Sequence, residues 1–506
     1  MYRKHPALLA TIAIFCCLEF LQTGMIAFAA SPIMGEIDAS PEEYSLIGVF
    51  YACIAVVVIA KMRWLVERLG WRTYVIGTVG MYLIGAGVCA ASSTVMMFGM
   101  GRIIMACGGG GFMTMSRVLV THIPAGPGRF TGVRVFAMAL AVGSAAAPMT
   151  ASLAINHDHW QGMFWVLGGL ALSGGVMAST ILPPTVDPED VRSRSNPGSL
   201  LLLALGSFLF LFALQRSYYD FYSEGVILLI FAMLALVALA LYIRGEHNRE
   251  ISLFRLRELR TRRYIAGVAL FCFSYMILGA DNYVMPYFFQ RGLGYSWPTL
   301  GGFQSLGLLA TLLTWLVMSR ILPKFPAPKK FFVLGFAALA LCGWWFSSLT
   351  ADAPMETDIL PGVALHGCFV MLVLATTAMQ TFRDVGHDDL LGMHAQQVKN
   401  MAAQLATAFG TCFATVFLQW RSTTHYDHLG ARVSASDPTY VASHDAMTGA
   451  LSATMESSLA AKAAVAQQAL QISQQANLLA GVEYFWMIAI IAGVAMVAAM
   501  MQKVFR

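Results

Sequence analysis

Long apolar runs separated by short polar connections repeat along the whole chain. A run of about 20 apolar residues is long enough to cross the hydrocarbon core of a bilayer as a helix. Barrel strands would be shorter, about 10 residues, and would alternate apolar with polar side chains. Only helices and closed barrels satisfy all backbone groups in lipid, so the pattern predicts an all-α polytopic membrane protein. The fourteen predicted spans lie near residues 7–30, 44–60, 73–92, 95–116, 135–154, 162–182, 198–215, 225–243, 264–289, 298–319, 331–350, 359–382, 400–420 and 482–501.

The composition agrees with this prediction and excludes soluble classes. Of the 506 residues, 58% are hydrophobic and 12% are charged, and the mean hydropathy is +0.66. Soluble domains carry roughly 25% charged residues, so a cytosolic enzyme, a nucleic-acid binder and a secreted domain are all excluded. The nine cysteines all lie within apolar runs, which favours helix packing over a disulfide framework or a metal site.

The distribution of positive charge predicts an orientation. With the N-terminus in the cytoplasm, 26 of the 32 lysines and arginines fall in connections on that side, and 5 fall on the opposite side. Arg102, the remaining one, lies inside a predicted span. Positive residues accumulate in cytoplasmic loops of membrane proteins, so we expect both termini to be cytoplasmic.

Two connections are longer than the others. The basic stretch 244–263 is predicted to be an interfacial helix lying on anionic lipid headgroups. The loop 421–481 lies on the external side, and its part from 447 to 479 is rich in Ala, Ser and Gln without proline. We expect that part to form one or two amphipathic helices outside the membrane.

Glu19 and Asp281 are the only acids well inside predicted spans. A carboxylate surrounded by apolar groups is costly to keep ionised, so both are candidates for proton coupling. A hydrogen-bonded structural carboxyl is the alternative for Glu19, and a plain interfacial role is the alternative for Asp281. Arg102 is a functional candidate by default, because a charge inside a membrane helix is expensive.

Aromatic and polar residues near these acids suggest a cavity for cationic or amphipathic solutes. For His366, the one histidine among the predicted cavity residues, a structural role is the alternative. The predicted cavity residues are Gln22, Asn282, Tyr283, Tyr287 and His366.

Two short motifs resemble those of the major facilitator superfamily. The segment 63–72 is similar to the family's loop between helices 2 and 3, in which a glycine turn and paired charges bias closure of the transporter. The residues that carry this resemblance are Arg63, Glu67, Arg68, Gly70 and Arg72. Gly143, Ala147 and Pro148 resemble the helix 5 motif of the family's exporters, although an ordinary small-residue interface would look the same.

The C-terminal quarter carries the most detailed resemblance. The order from Gln397 through Arg421, His425 and Gln468 to Glu483 closely resembles the last two spans and the intervening loop of EmrB-like drug:proton antiporters. That family also has fourteen spans, with two extra helices between its six-helix halves. The resemblance therefore implies a major facilitator fold with three parts. These are an N-terminal six-helix bundle (1–182), two extra helices with a basic cytoplasmic linker (183–263), and a C-terminal six-helix bundle (264–506) with an external helical loop (421–481).

The same resemblance implies how the buried charges are used. Halves of this kind bring helices 1 and 4 together around the cavity, so Glu19 and Arg102 could approach one another. Counting 1.5 Å per residue along each helix places Glu19 about 18 Å from the cytoplasmic face and Arg102 about 10 Å from the external face, which are comparable depths. The family's aspartate lies slightly further along helix 1, where this chain has Gln22.

The implied function is a proton-coupled antiporter that exports drugs or toxic amphipathic molecules across the bacterial inner membrane by alternating access. No phosphate-binding loop of the G-x-x-x-x-G-K-[ST] type occurs, so the expected energy source is the proton gradient rather than ATP, without a cofactor. The expected partners are the small-molecule substrate, the bilayer, a periplasmic adaptor and an outer-membrane channel, and no nucleic acid. A transporter dedicated to one metabolite, such as a siderophore or a weak acid, is the main alternative. An integral-membrane enzyme is the second, although no His/Asp/Glu metal spacing appears.

Overall fold

The computed structural model describes residues 6–124, 126–157, 159–183, 193–249, 253–321, 327–385, 388–433 and 436–505. Within these ranges the chain forms helices and turns, and no β-strand occurs. The α-helices are α1 (Pro6–Phe28), α2 (Ala30–Glu36), α3 (Pro41–Ala90), α4 (Val95–Gly109), α5 (Phe112–Thr121), α6 (Pro127–Asn156), α7 (Gly162–Ile181), α8 (Pro197–Arg216), α9 (Phe221–Asn248), α10 (Arg262–Tyr287), α11 (Trp297–Ile321), α12 (Pro328–Ser347), α13 (Leu360–Thr381), α14 (Asp389–Gly430), α15 (Pro438–Leu451) and α16 (Ser457–Met501). Two π-helical turns, Phe288–Gly292 and Met355–Ile359, adjoin α10 and α13.

The predicted spans correspond closely to these helices. In the described part of the chain, 13 helices are long and apolar enough to cross a membrane. One of them, α3, is 50 residues long and bends at Gly70, so it contains both the second and the third predicted span. The all-helical membrane class is thereby confirmed. The count of fourteen crossings and the cytoplasmic location of both termini stay predictions, and the first five residues lie outside the described ranges.

Gly70 makes the bend in α3 possible. Its φ of 78° and ψ of 157° lie in a region that is essentially restricted to glycine. A Gly70→Ala substitution should lower the free energy of unfolding by about 1–3 kcal/mol, because a Cβ strains this backbone.

Thermal unfolding in detergent checks the role of Gly70. The matched control is Gly77→Ala in the same helix, where an added methyl group meets open space. The control should leave stability unchanged or raise it by up to about 1 kcal/mol. Equal melting temperatures for the two variants would show that the bend does not depend on glycine.

The helices pack as two groups with a pair of helices beside them. One group contains α1 and α3–α7, and the other contains α10–α14 and α16. Contacts of α6 with α11 and of α3 with α14 join the two groups, while α8 packs on both α3 and α14 and carries α9 on its other side. This arrangement places a cavity between the groups. The domain limits at residues 182 and 263 stay predictions.

Several connections meet at one end of the bundle. There Arg63 contacts His394, the backbone N–H of Arg255 donates to Nδ1 of His394 (3.2 Å), and Arg263 donates to the carbonyl oxygen of Val504 (3.4 Å). We call this the basic end, because the predicted cytoplasmic connections with most lysines and arginines lie here. The other end is called the opposite end.

The predicted interfacial helix in the basic linker is wrong for the residues that are described. Residues 253–261 form turns between α9 and α10. Leu253 and Phe254 are almost fully buried and pack against Val56 and Tyr242, and the Leu253 N–H donates to Glu246 (3.0 Å). Anchoring these two apolar side chains in the bundle prevents the segment from lying along a membrane surface as a helix.

The helical character predicted for the external loop is confirmed. Helix α14 has 42 residues and α16 has 45, so they are about 63 and 68 Å long, roughly twice the thickness of a hydrocarbon core. We call residues 421–430, α15 and residues 457–475 the projection. At its base, Arg421 donates to both carboxylate oxygens of Glu483 (2.5 and 2.7 Å), and His425 lies 3.1 Å from the same group. Its location outside the membrane stays a prediction.

Candidate functional site

A central cavity of about 200 Å³ lies between the two groups of helices. Its wall is mostly apolar and aromatic, as is usual for small-molecule sites. Six of the predicted site residues line it: Glu19, Gln22, Arg102, Asn282, Tyr283 and His366. These six residues therefore share one cavity, and their roles stay predictions.

Tyr287 lies elsewhere. It lines a vestibule of about 350 Å³ toward the opposite end, where its hydroxyl donates to Oδ1 of Asn477 (2.9 Å). Pro41, Tyr283 and Thr415 line both this vestibule and the central cavity. The two spaces therefore adjoin one another.

Glu19 faces the cavity from the middle of α1. Its residue surface is only 6% exposed, and Oε1 accepts a hydrogen bond from Nε2 of Gln404 on α14 (3.0 Å). This bond links the carboxylate to the other group of helices. The sequence does not indicate this pairing, because 385 residues separate the two side chains.

Arg102 shares the cavity with Glu19 without pairing with it. In the described structure no ion pair joins the two side chains, although the arginine is near enough to act electrostatically on the carboxylate. Its guanidinium instead lies over the ring of Tyr51, 4.2 Å from the centroid. Gln22 donates to the Tyr51 hydroxyl (2.6 Å) and accepts from that of Tyr82 (2.5 Å). The cation is thus held by an aromatic network in this conformation.

Asp281 forms a second buried cluster in the C-terminal group of helices. Its Oδ1 accepts a hydrogen bond from the hydroxyl of Tyr484 (2.7 Å), and its Oδ2 lies 3.2 Å from Nε2 of His366. All three residues are at most 2% exposed. The imidazole and Oδ2 are close but not aligned as a hydrogen bond, which leaves both with unused hydrogen-bonding capacity.

The helix 5 motif lies where three helices meet. A Cβ added at Gly143 would come within 2.5 Å of the carbonyl oxygen of Cys17, so α6 approaches α1 too closely for any side chain there. Ala147 contacts Gly24 of α1, and the carbonyl of Pro148 faces Gly301 of α11. The geometry shows a tight small-residue interface, and the exporter role of the motif stays a prediction.

The loop motif ties the basic end together. Arg63 contacts Glu67 and also His394 of α14. Glu67 accepts hydrogen bonds from the backbone N–H (2.9 Å) and hydroxyl (2.5 Å) of Ser193 in the linker, and Arg68 donates to the Ser193 carbonyl (3.3 Å).

Further contacts join the same surfaces. The backbone N–H of Arg72 donates to the carbonyl of Pro183 (3.3 Å). Deeper in the bundle, Gln397 donates to the carbonyl of Ile59 (2.8 Å) and Asn400 to the hydroxyl of Thr114 (2.7 Å). The bonds of Gln397 and Asn400 join α14 to α3 and α5 and so connect the two groups of helices.

Comparisons with known proteins agree with this architecture. Residues 12–414 match the family model described as Major Facilitator Superfamily. The chain is 20% identical to the MFS-type transporter YhcA of Bacillus subtilis (strain 168), over 87% of this chain and 81% of YhcA. It is 23% identical to MdtD of Escherichia coli O1:K1 / APEC, a protein named for multidrug resistance, over 79% of this chain and 83% of MdtD.

Solved structures show the same fold at low identity. An auto inhibited POT family peptide transporter superposes with a TM-score of 0.59 at 17% identity, covering 99% of this chain and 98% of that one. An inward-facing bacterial homologue of the human lysosomal transporter Spinster gives 0.59 at 12% identity, with the same coverage. Together with the family match over most of the chain, the helix pairing and the central cavity identify this protein as a membrane transporter of the Major Facilitator Superfamily and not an enzyme.

Proposed function

We propose that this protein is a proton-coupled antiporter that exports amphipathic aromatic compounds from the bacterial cytoplasm. One observation carries the proposal: Glu19, a buried carboxylate, lies in the wall of an aromatic cavity between the two groups of helices. Such a group can hold a proton, or release it while substrate occupies the same space. The likeness to MdtD, named for multidrug resistance, supports a drug-like cargo.

The exchange follows from competition at the cavity. When the cavity opens to the cytoplasm, substrate binds and Glu19 releases its proton. After the cavity opens to the outside, substrate leaves and a new proton binds Glu19. The proton gradient then drives the transporter back to the state that opens to the cytoplasm. It is the only energy source that the exchange requires. The basic end faces the cytoplasm in this proposal, in agreement with the positive-inside rule.

The Asp281–His366 pair is a second proton site in this proposal. His366 lines the cavity, and Asp281 lies behind it in contact with Tyr484. The imidazole therefore connects the cavity to an acid that substrate does not touch directly. Protonation of this pair would change the contacts between α10, α13 and α16, which belong to one group of helices.

A susceptibility and accumulation panel in an efflux-deficient bacterium tests the proposal. Expression should raise resistance to several aromatic compounds, and cells should accumulate less of each until a protonophore collapses the gradient. Transport of a single compound would instead indicate the dedicated metabolite transporter. Unchanged accumulation of every compound would contradict export.

We propose that the projection binds a periplasmic adaptor. The adaptor in turn leads to an outer-membrane channel. Leu459 and Leu470 lie on it with 55% and 70% of their surface exposed. In this proposal the two leucines provide apolar contacts for the adaptor.

Replacing both leucines by glutamine should abolish resistance in cells. Transport in reconstituted vesicles should stay at the wild-type rate, because neither side chain reaches the cavity and glutamine preserves the helix. Parallel measurements of resistance and vesicle transport check this prediction. Equal loss in both assays would assign the projection to the transport core.

A further inference from the structure

Two cations without an acidic partner among the described residues, the buried Lys399 and the half-buried Arg117, lie beside the central cavity. Lys399 on α14 is 4% exposed, and its ammonium group lies 4.6 Å from the ring centroid of Phe271. Arg117 on α5 lies over the ring of Phe136, at 5.5 Å. Within the described residues neither cation makes an ion pair, and the groups that act electrostatically on Lys399 are Arg117 and two thiols. Two like charges that line one small pocket repel one another, so a complementary anion would stabilise the arrangement.

The two cations face a common pocket. It measures about 50 Å³ and is otherwise lined mostly by apolar and aromatic side chains. Met113, Tyr275 and Val370 line both this pocket and the central cavity, and the Tyr275 hydroxyl lies 3.9 Å from the sulfur of Met113 at the neck between them. A pocket of this size accommodates a small polar group such as a carboxylate.

Acids near Lys399 do not neutralise it in this conformation. Glu19 and Lys399 both act electrostatically on Cys16, so the carboxylate is in the same region. Its oxygen, however, accepts its hydrogen bond from Gln404. The ammonium group of Lys399 has no hydrogen-bond acceptor among the described residues, which leaves its three donors available for a ligand.

We propose that Lys399 and Arg117 form an anion subsite for the carboxylate of aromatic acids carried by this transporter. The aromatic body occupies the central cavity, and the acidic group extends past Tyr275 into the small pocket. This inference rests on the proposed export function and adds amphipathic organic anions to its substrates. Charge-assisted hydrogen bonds from lysine and arginine are the usual means of holding such a group.

Binding of two probes to the purified full-length protein in detergent tests the subsite. The probes are 1-naphthoate and 1-naphthylmethylammonium, which share a ring system and differ in the sign of their charge. Lys399→Gln should weaken naphthoate binding by at least about tenfold, a typical loss for a charge-assisted contact. It should leave binding of the cationic probe unchanged, and Lys399→Arg should retain naphthoate binding. The matched control, Lys503→Gln, removes an exposed lysine at the basic end and should bind both probes as the wild type does.

The outcomes separate this inference from the function on which it rests. Naphthoate binding that does not depend on Lys399, or is absent in the wild type, overturns the subsite even if drugs are exported. Equal weakening for both probes also overturns it, because Lys399 would then act on the cavity as a whole. Lys399-dependent naphthoate binding without proton-driven transport would retain the subsite and contradict the proposed function instead.

Discussion

Glu19→Gln is expected to reduce pH-gradient-driven accumulation of substrate in reconstituted vesicles to the level of protein-free vesicles. Glutamine matches the shape of the glutamate side chain. Its Oε1 can still accept the hydrogen bond from Gln404, which spans 3.0 Å in the wild-type protein. It cannot bind and release a proton in this pH range, so exchange should stop while the fold and the cavity persist. Substrate binding should therefore stay close to the wild-type affinity.

The control for this substitution is Glu36→Gln. Glu36 ends α2 and is exposed, so the same chemical change occurs away from the cavity. Its vesicles should accumulate substrate as the wild type does, and the melting temperatures of the two variants should agree. If Glu19→Gln vesicles still concentrate substrate under an imposed pH gradient, Glu19 does not carry the proton, and Asp281 becomes the candidate.

Asp281→Asn and His366→Gln are each expected to lower the pH-gradient-driven transport rate by at least about tenfold. Contacting residues that work as a unit have coupling energies of about 0.5–3 kcal/mol, and tenfold corresponds to about 1.4 kcal/mol. The two side chains are 3.2 Å apart and enclosed by protein, so each substitution removes the same shared proton. The double variant should therefore be no slower than the slower single variant.

Initial transport rates of the wild type, the two single variants and the double variant check the coupling. They are measured at equal protein density in vesicles. Asp352→Asn, an exposed acid in the connection before α13, is the control and should transport at the wild-type rate. A double variant about a hundredfold slower than the wild type would mean that Asp281 and His366 act independently, because independent effects add in free energy.

Hydropathy predicted the membrane spans well because the lipid requires an apolar segment of fixed length. A segment surrounded by hydrocarbon must be apolar over a fixed length, so runs such as residues 7–30 reveal α1 directly. The depth of Glu19 and Arg102 along their helices also placed both in the cavity wall. The depth of a residue along its helix does not say which way its side chain points within the cavity. The stacking of Arg102 on Tyr51, rather than pairing with Glu19, depends on contacts between separate helices.

Residues that serve the interface between the two groups of helices were harder to predict. The sequence predicts that the thirteenth span begins at residue 400, because the preceding residues are polar. In the structure α14 begins at Asp389, where the Asp388 side chain caps its N-terminus, and Gln397 and Asn400 donate hydrogen bonds to the other helix group. A helix that is polar on the side facing another helix has low hydropathy without being exposed to water.

Pairs that are distant in sequence were also not predicted. His366 and Asp281 are 85 positions apart, and nothing in either local segment indicates that α10 and α13 bring them together. The same is true of the contact between Asp281 and Tyr484 on α16. Such pairings depend on the packing order of the helices, which the apolar pattern alone does not specify.

The most direct test of proton-drug exchange is proton movement driven by substrate alone. Purified protein in liposomes with a luminal pH dye, no imposed pH gradient, and the membrane potential clamped with potassium and valinomycin would receive ethidium outside. Ethidium keeps its charge at all relevant pH values, so it carries no proton itself. The account predicts that inward flow of ethidium drives protons out and raises the luminal pH, and that Glu19→Gln abolishes this signal. Ethidium entry without a pH change, or with a fall in luminal pH, would contradict antiport.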